Sequence, residues 1–271
     1  MAVAHPVAAV PAPSPVPVRK ITRDDLRISL KDGWTDFMEM RGDLIFLGLL
    51  YPLIGIVAAA VTLGGTLLPL FFPIAAGLSL VGPIVAIGFY ELARRREDGL
   101  ESDWSHFFDV RKRPSADGIS AVAALLITVF ALWLATAAVL YVALWGMYVP
   151  DSIGAFLNRL FTTPQGWTLI VVGNLLGLGF AIIVLATSVV SLPMLVDCEI
   201  EARTAIDTSI AAFRLNSWLM LRWGMIIAAL LVLGSIPLFI GLAVVLPWLG
   251  YSTWHLYTRL VDRDAFPHCT D

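Results

Sequence analysis

The residues that could do chemistry are few and badly placed for it. Four histidines and two cysteines supply the soft metal ligands and the strongest nucleophiles. His5 and His268 lie near the chain ends, His106 lies between apolar runs, and only His255 borders one. Cys198 and Cys269 match neither a CxxC pair nor a zinc spacing, and we read both as free thiols. Nucleophile elbow, P-loop, dinucleotide fingerprint and zinc-helix motifs are all missing from the sequence. No catalytic residue, cofactor-binding residue or metal ligand is therefore assigned. The expectation is a protein without enzymatic activity and without a cofactor.

Polar groups inside the apolar runs are the remaining candidates, because ionisable residues in lipid mark ion or proton paths. The central parts of those runs lack Asp, Glu, Lys, Arg and His. Glu91 and Asp197 stand at run ends, with Glu91 at helical spacing from Arg94 and Arg95. Asn174 lies between Gly173 and Gly177, a small-xxx-small face with an amide beside it. Such a face lets helices approach, and the amide can bond across helices or line a path. Pro73 and Pro83 interrupt one run, and Pro237 and Pro247 another. Paired broken helices form binding sites in transporters, although proline is also common in membrane helices.

The elements that position these residues follow from composition. Of 271 residues, 58% are hydrophobic and 14% charged. A soluble fold carries about 25% charge, so the outer surface is expected to meet lipid. Apolar runs near the roughly 20 residues that a bilayer requires occupy 44–63, 67–90, 119–145, 168–192, 217–235 and 237–257. The last two are split at Gly234-Ser235-Ile236-Pro237, crossing as two helices or forming a re-entrant hairpin, and Arg222 stands near the start of the fifth. Six spans give an all-α polytopic membrane bundle. Counting Lys and Arg by loop places 17 of the 18 on one side. The positive-inside rule then puts both termini in the cytoplasm of a multi-pass inner-membrane protein. Residues 1–20 read as a disordered Pro/Ala-rich tail, 21–262 as one membrane domain and 263–271 as a second tail.

The chain repeats. LKDGWTDFMEMR (30–41) and LESDWSHFFDVR (100–111) align at an offset of 70, matching Trp34 with Trp104 and Phe37 with Phe107. Ile206, Ile210 and Phe213 form a weaker third copy. Each copy is predicted to be an amphipathic helix preceding a hairpin, with Thr22 and Asp25 forming a capping box before the first. At an offset of 164, Pro73, Gly77, Pro83, Tyr90 and Arg95 match Pro237, Gly241, Pro247, Trp254 and Arg259. Three units of interfacial helix plus hairpin follow. Trp34, Phe37, Trp104, Phe107 and Trp254 are candidate interfacial anchors, or part of a partner-binding face.

PIAAGLSLVGPIVAIGFYELARRRE (73–97), SLPMLVD (191–197) and IPLFIGLAVVLPWLGYSTWHLYTRLV (236–261) resemble a bacterial family of predicted integral membrane proteins, domain of unknown function 2189, over roughly 20–262. The resemblance implies a membrane bundle and brings no activity with it. Some relatives carry names suggesting a cytochrome oxidase subunit. A haem–copper centre needs several histidines inside the spans, and His255 alone cannot supply them. The lipid bilayer is the expected partner, together with other membrane proteins or further copies of the chain. The Arg94-Arg95-Arg96 run reads as a topology anchor touching anionic lipid, and no nucleic-acid partner is expected. Two functions remain: a structural or interaction component of the membrane, or a transporter of a small solute or lipid near spans two and six.

Overall fold

The computed structural model of the chain describes residues 15–48, 69, 71–237 and 239–263. Most of the span expected at 44–63, the turn that follows it, residues 1–14, His268 and Cys269 lie outside the described residues. The order is α1 (Arg23–Gly48), α2 (Phe71–Leu78), α3 (Gly82–Glu97), a 3-10 helix η1 (Trp104–Lys112), α4 (Ala116–Trp145), α5 (Ile153–Thr162), α6 (Pro164–Ser188), α7 (Ser191–Asp197), α8 (Ala202–Leu215), α9 (Ser217–Ser235) and α10 (Leu242–Leu260). Beyond helices, the described residues hold one isolated antiparallel bridge, Val18 with Val261.

Three helical stretches are long and apolar enough to cross a membrane: α4, the run Pro164–Asp197 formed by α6 and α7, and α9. They coincide with spans three, four and five. α4 shows why. Its buried positions, Ile119, Val122, Leu126, Val129, Trp133, Ala137, Tyr141 and Trp145, recur every three or four residues and make one face. Ile127, Leu132 and Val139 on the other side are more than half exposed. Water would penalise that surface; lipid does not. At ~1.5 Å per residue its 30 residues exceed a hydrocarbon core of about 30 Å. Gly146, at φ 65°, closes it by donating to the Val142 carbonyl at 2.8 Å.

The other spans differ from expectation. Span two is broken at 79–81 into α2 and α3, and Pro83 stands in the first turn of α3, where its missing N–H costs nothing. Span six starts later, at Leu242, after a turn in which Phe239 takes φ 66°. Most of α10 is buried, and its C-terminal half lies antiparallel along α1, pairing Asp25 with Arg259, Asp36 with His255 and Met40 with Tyr251. A count of six crossings is therefore not reached on the described residues.

The repeat becomes a ring of contacts. η1 of the second unit packs on α3 of the first, α8 of the third packs on α6 and α7 of the second, and α1 of the first packs on α10 of the third. α3, α7 and α10, the last helices of the three units, meet one another at the centre. Proline opens or enters each: Pro83 in α3, Pro193 in α7 and Pro247 inside α10. The first two follow breaks in a helical run, at 79–81 and 189–190. The backbone N–H of Val190, freed by its break, is accepted by Ser209 Oγ of α8 at 3.3 Å.

The amphipathic helices deviate in detail. α1 is one helix from Arg23 to Gly48, entered through the expected capping box: Thr22 N donates to Asp25 Oδ2 at 2.7 Å and Asp25 N to Thr22 Oγ1 at 3.3 Å. η1 is 3-10 and has no fully buried residue. α8 buries Thr204, Ala205, Thr208, Ser209 and Ala212, while the expected stripe of Ile206, Ile210 and Phe213 is only half-buried. The end of the stretch read as disordered tail is held in place. Val16 N donates to Thr208 Oγ1, Arg19 N to the Leu260 carbonyl and Asp262 N to the Pro17 carbonyl, at 3.1, 2.8 and 3.0 Å. An amphipathic helix that the sequence did not suggest, α5, caps the opposite end, with Ser152 as its N-cap.

Candidate functional site

The charged side chains gather where α3, α7 and α10 end. All but Glu91, which lies within α3, belong to or follow a helix terminus, so the packing of the three units brings them together. Glu91, 2% exposed, accepts from Arg94 at 2.8 Å and faces Arg113 at 3.6 Å. Asp197, 3% exposed, accepts from Arg263 at 2.9 Å and from the Tyr257 hydroxyl at 2.7 Å. Glu97 shares Arg263 with Asp197, accepting from it at 2.5 Å, and accepts from the Trp254 indole at 2.8 Å, while Arg113 links Glu91 to Asp197 by donating to the Asp197 carbonyl at 3.5 Å. Burial works against the Arg263 charge, but Asp197 and Glu97 outweigh it and hold the guanidinium above its ordinary value. Burial and the neighbouring Arg94 pull Arg113 below its own.

Surface elements are tied on by the same chemistry. Arg96 bridges α3 to Asp36 at 3.1 Å and also pairs with Glu39. Asp36 accepts from His255 Nε2 at 2.7 Å, and Arg259 reaches Asp32 at 3.0 Å. Arg95 spans to Asp109 of η1 at 3.8 Å, at the position equivalent to Arg259. Hydrogen bonds from Lys112 and His106 hold the Asp109 carboxyl down at about 2. The Arg94-Arg95-Arg96 run, expected to face lipid headgroups, is thus engaged inside the protein. Such an arrangement can lock helix ends together. Among the described residues no group of three or more His, Cys, Asp and Glu is placed to hold a metal.

The singled-out residues fall into separate environments. Pro73 offers its carbonyl to Trp133 Nε1 at 2.8 Å. A Cβ on Gly177 would lie 3.1 Å from the same indole, and one on Gly173 would make ordinary contact with Leu140 at 3.7 Å. These residues therefore pack against α4. Asn174 is exposed and donates to its own helix, at the Ile170 carbonyl 2.7 Å away, so it neither bridges helices nor faces a path. Pro83 is half-buried, Pro237 exposed and Pro247 buried within α10. Pro237 and Pro247 do not reproduce the break before Pro83: the residues aligned with 79–81 are helical in α10.

Trp34 and Trp104 are exposed, at 39% and 51%. Phe37 is buried and Phe107 half-buried against Gly88 and Phe89. Trp254 is fully buried with its indole on Glu97, so it is a core residue and not a headgroup anchor. Cys198 is no free thiol: it is disulfide-bonded. The junction itself was reachable from the sequence only in part. Glu91 and Asp197 stood out as charges at run ends, but nothing local linked either to Arg113 or Arg263.

No curated protein and no solved structure matches the chain. The stretch that does match runs from α2 to the end of α7, narrower than the 20–262 over which the likeness was read. Over residues 71–197 the chain matches the model of a family described as predicted integral membrane protein (DUF2189), and it is similar to that family in being a helical protein built to sit in a lipid bilayer.

Proposed function

We propose that the protein is a structural or interaction component of the membrane, its basic end facing the cytoplasm, without enzymatic activity. One observation supports this: among the described residues, a large aromatic side chain fills the contact of spans two, three and four. Trp133, 5% exposed, occupies the space between α2 and α6, its indole bonded to Pro73 and lying against Gly77 and Gly177. The buried carboxylates at the junction are consumed by ion pairs within the protein, while the outer faces of α4, α6 and α9 remain apolar and exposed. Native mass spectrometry from intact membranes tests it. A retained second protein or second copy is the expected result; a bare monomer that also carries solute in reconstituted vesicles overturns it.

The helix breaks at 79–81 and 189–190 favour a second reading, a transporter of a small solute or lipid, because interrupted helices expose backbone groups to a ligand. It requires flux in vesicles that falls when Pro83 or Pro247 is replaced by alanine.

A further inference from the structure

Arg222 lies five residues past the start of α9, inside a helix long and apolar enough to cross a membrane. Its guanidinium carbon stands 5.2 Å from the centre of the Trp218 ring, and Trp218 is 61% exposed. Arg214, also exposed, stands in the last turn of α8, and Ser217 Oγ donates to its carbonyl at 3.0 Å, tightening the corner between the two helices. Among the described residues neither arginine forms an ion pair, whereas Arg94, Arg95 and Arg96 each reach a carboxylate. An arginine on the lipid face of a span is tolerated where it reaches the headgroup layer. An exposed indole beside it belongs at the same depth, and Trp34 and Trp104 are exposed at this end of the bundle too.

The uncompensated charge needs a counterion from outside the chain. Guanidinium presents a planar fork of donors matched to phosphate oxygens. Two cations, each four residues from Trp218, with Asp207 already turned to Arg203 at 3.9 Å, disfavour a headgroup that carries its own amine. We propose that Arg214 and Arg222, with Trp218 between them, bind the phosphate of an anionic phospholipid. This rests on insertion in a bilayer and is independent of the scaffold function proposed above.

The test uses the full chain in nanodiscs of phosphatidylcholine containing a minority of phosphatidylglycerol, followed by native mass spectrometry as lipids are stripped. The wild type is expected to retain phosphatidylglycerol above its share. Arg222→Gln and Arg214→Gln should each cut that preference about fivefold, the increment expected of one cation near a membrane surface. Arg222→Lys should keep most of it, and Arg203→Gln, whose partner is Asp207, should leave it unchanged. Retention in proportion to supply by the wild type, or undiminished preference in Arg222→Gln, overturns the proposal. So does an equal loss of thermal stability of Arg222→Gln in discs with and without phosphatidylglycerol, which would make Arg222 a packing residue.

Discussion

Gly33→Ala probes the ring closure directly, because α10 leaves no room for a Cβ at Gly33 of α1. A Cβ at Gly33 would lie 2.7 Å from the Ser252 Cα, and the Ser252 amide nitrogen and hydroxyl are closer still. The nitrogen and the Cα are backbone atoms of a helix, so no rotamer change relieves the clash and the helices must part by about 1 Å to reach ordinary contact. Parting strains Trp248 Nε1 to the Leu30 carbonyl at 2.9 Å, His255 to Asp36 at 2.7 Å and Arg259 to Asp32 at 3.0 Å. Overpacking costs about 1–3 kcal/mol, and weakened hydrogen bonds in a membrane protein add about 0.6 kcal/mol each. Better helix propensity returns up to about 1 kcal/mol. The net expectation is a loss of about 2 kcal/mol, or a melting temperature lower by roughly 4–8 °C for a chain of this size, read by intrinsic fluorescence in mild detergent. Gly179→Ala is the internal control: nothing lies within 4 Å of its Cβ position on the exposed side of α6. It should hold or slightly raise stability. An unchanged or higher melting temperature for Gly33→Ala would show that α1 does not lie on α10 as described.

Glu91→Gln removes the buried charge between Arg94 and Arg113. Because both arginines keep some exposure, the loss should be about 2–3 kcal/mol, at or below the lower end for a broken buried pair, measured by denaturant unfolding in micelles. Asn216→Ala strips the Ile21 N–H and the Arg19 carbonyl of their 3.0 Å partners. It should cost about 1–3 kcal/mol and speed proteolysis within the first twenty residues, whereas protection equal to wild type would refute the docking of that segment. Asp109 is held at about 2 by Lys112 and His106, and Asp103 is held below the usual carboxylate range by Ser105. Lowered folded values stabilise above the unfolded value near ~3.9 and are lost as pH falls through the folded one. η1 should therefore keep its Trp104 emission at pH 4 and lose it toward pH 2, and Asp109→Asn should abolish most of that transition.

Much of the fold was legible because lipid imposes a simple rule: a crossing helix must be long and apolar. Span five was read as 217–235 and α9 is Ser217–Ser235; span three was read as 119–145 and α4 is Ala116–Trp145. The Thr22–Asp25 cap was legible because it is local. The break at 189–190 was not, since Val-Val carries no breaker and the compensating hydroxyl, Ser209, comes from α8. Nor was the burial of Trp254. An aromatic residue at the end of an apolar run reads as an interface residue, and its true partner, Glu97, is 157 residues away. The docking of residues 15–20 escaped for the same reason: proline-rich sequence lacks local structure, and its partners lie on α8 and α10.

α8 shows a more general inversion. In a soluble helix the large apolar residues mark the buried face. Here Ile206, Ile210 and Phe213 are only half-buried, and Thr204, Ala205, Thr208, Ser209 and Ala212 form the contact. Lipid removes the penalty for exposing large apolar side chains, so close approach selects small ones and their hydroxyls serve freed backbone groups. The cations invert similarly. Seventeen of eighteen on one side reads as a topology signal, yet Arg95, Arg113, Arg259 and Arg263 are held by carboxylates of other helices. Cations that read as a topology signal thus clamp one repeat to the next. Among the cations that no carboxylate holds, Arg214 and Arg222 flank the exposed Trp218 at four residues on either side, where a span meets the headgroup layer.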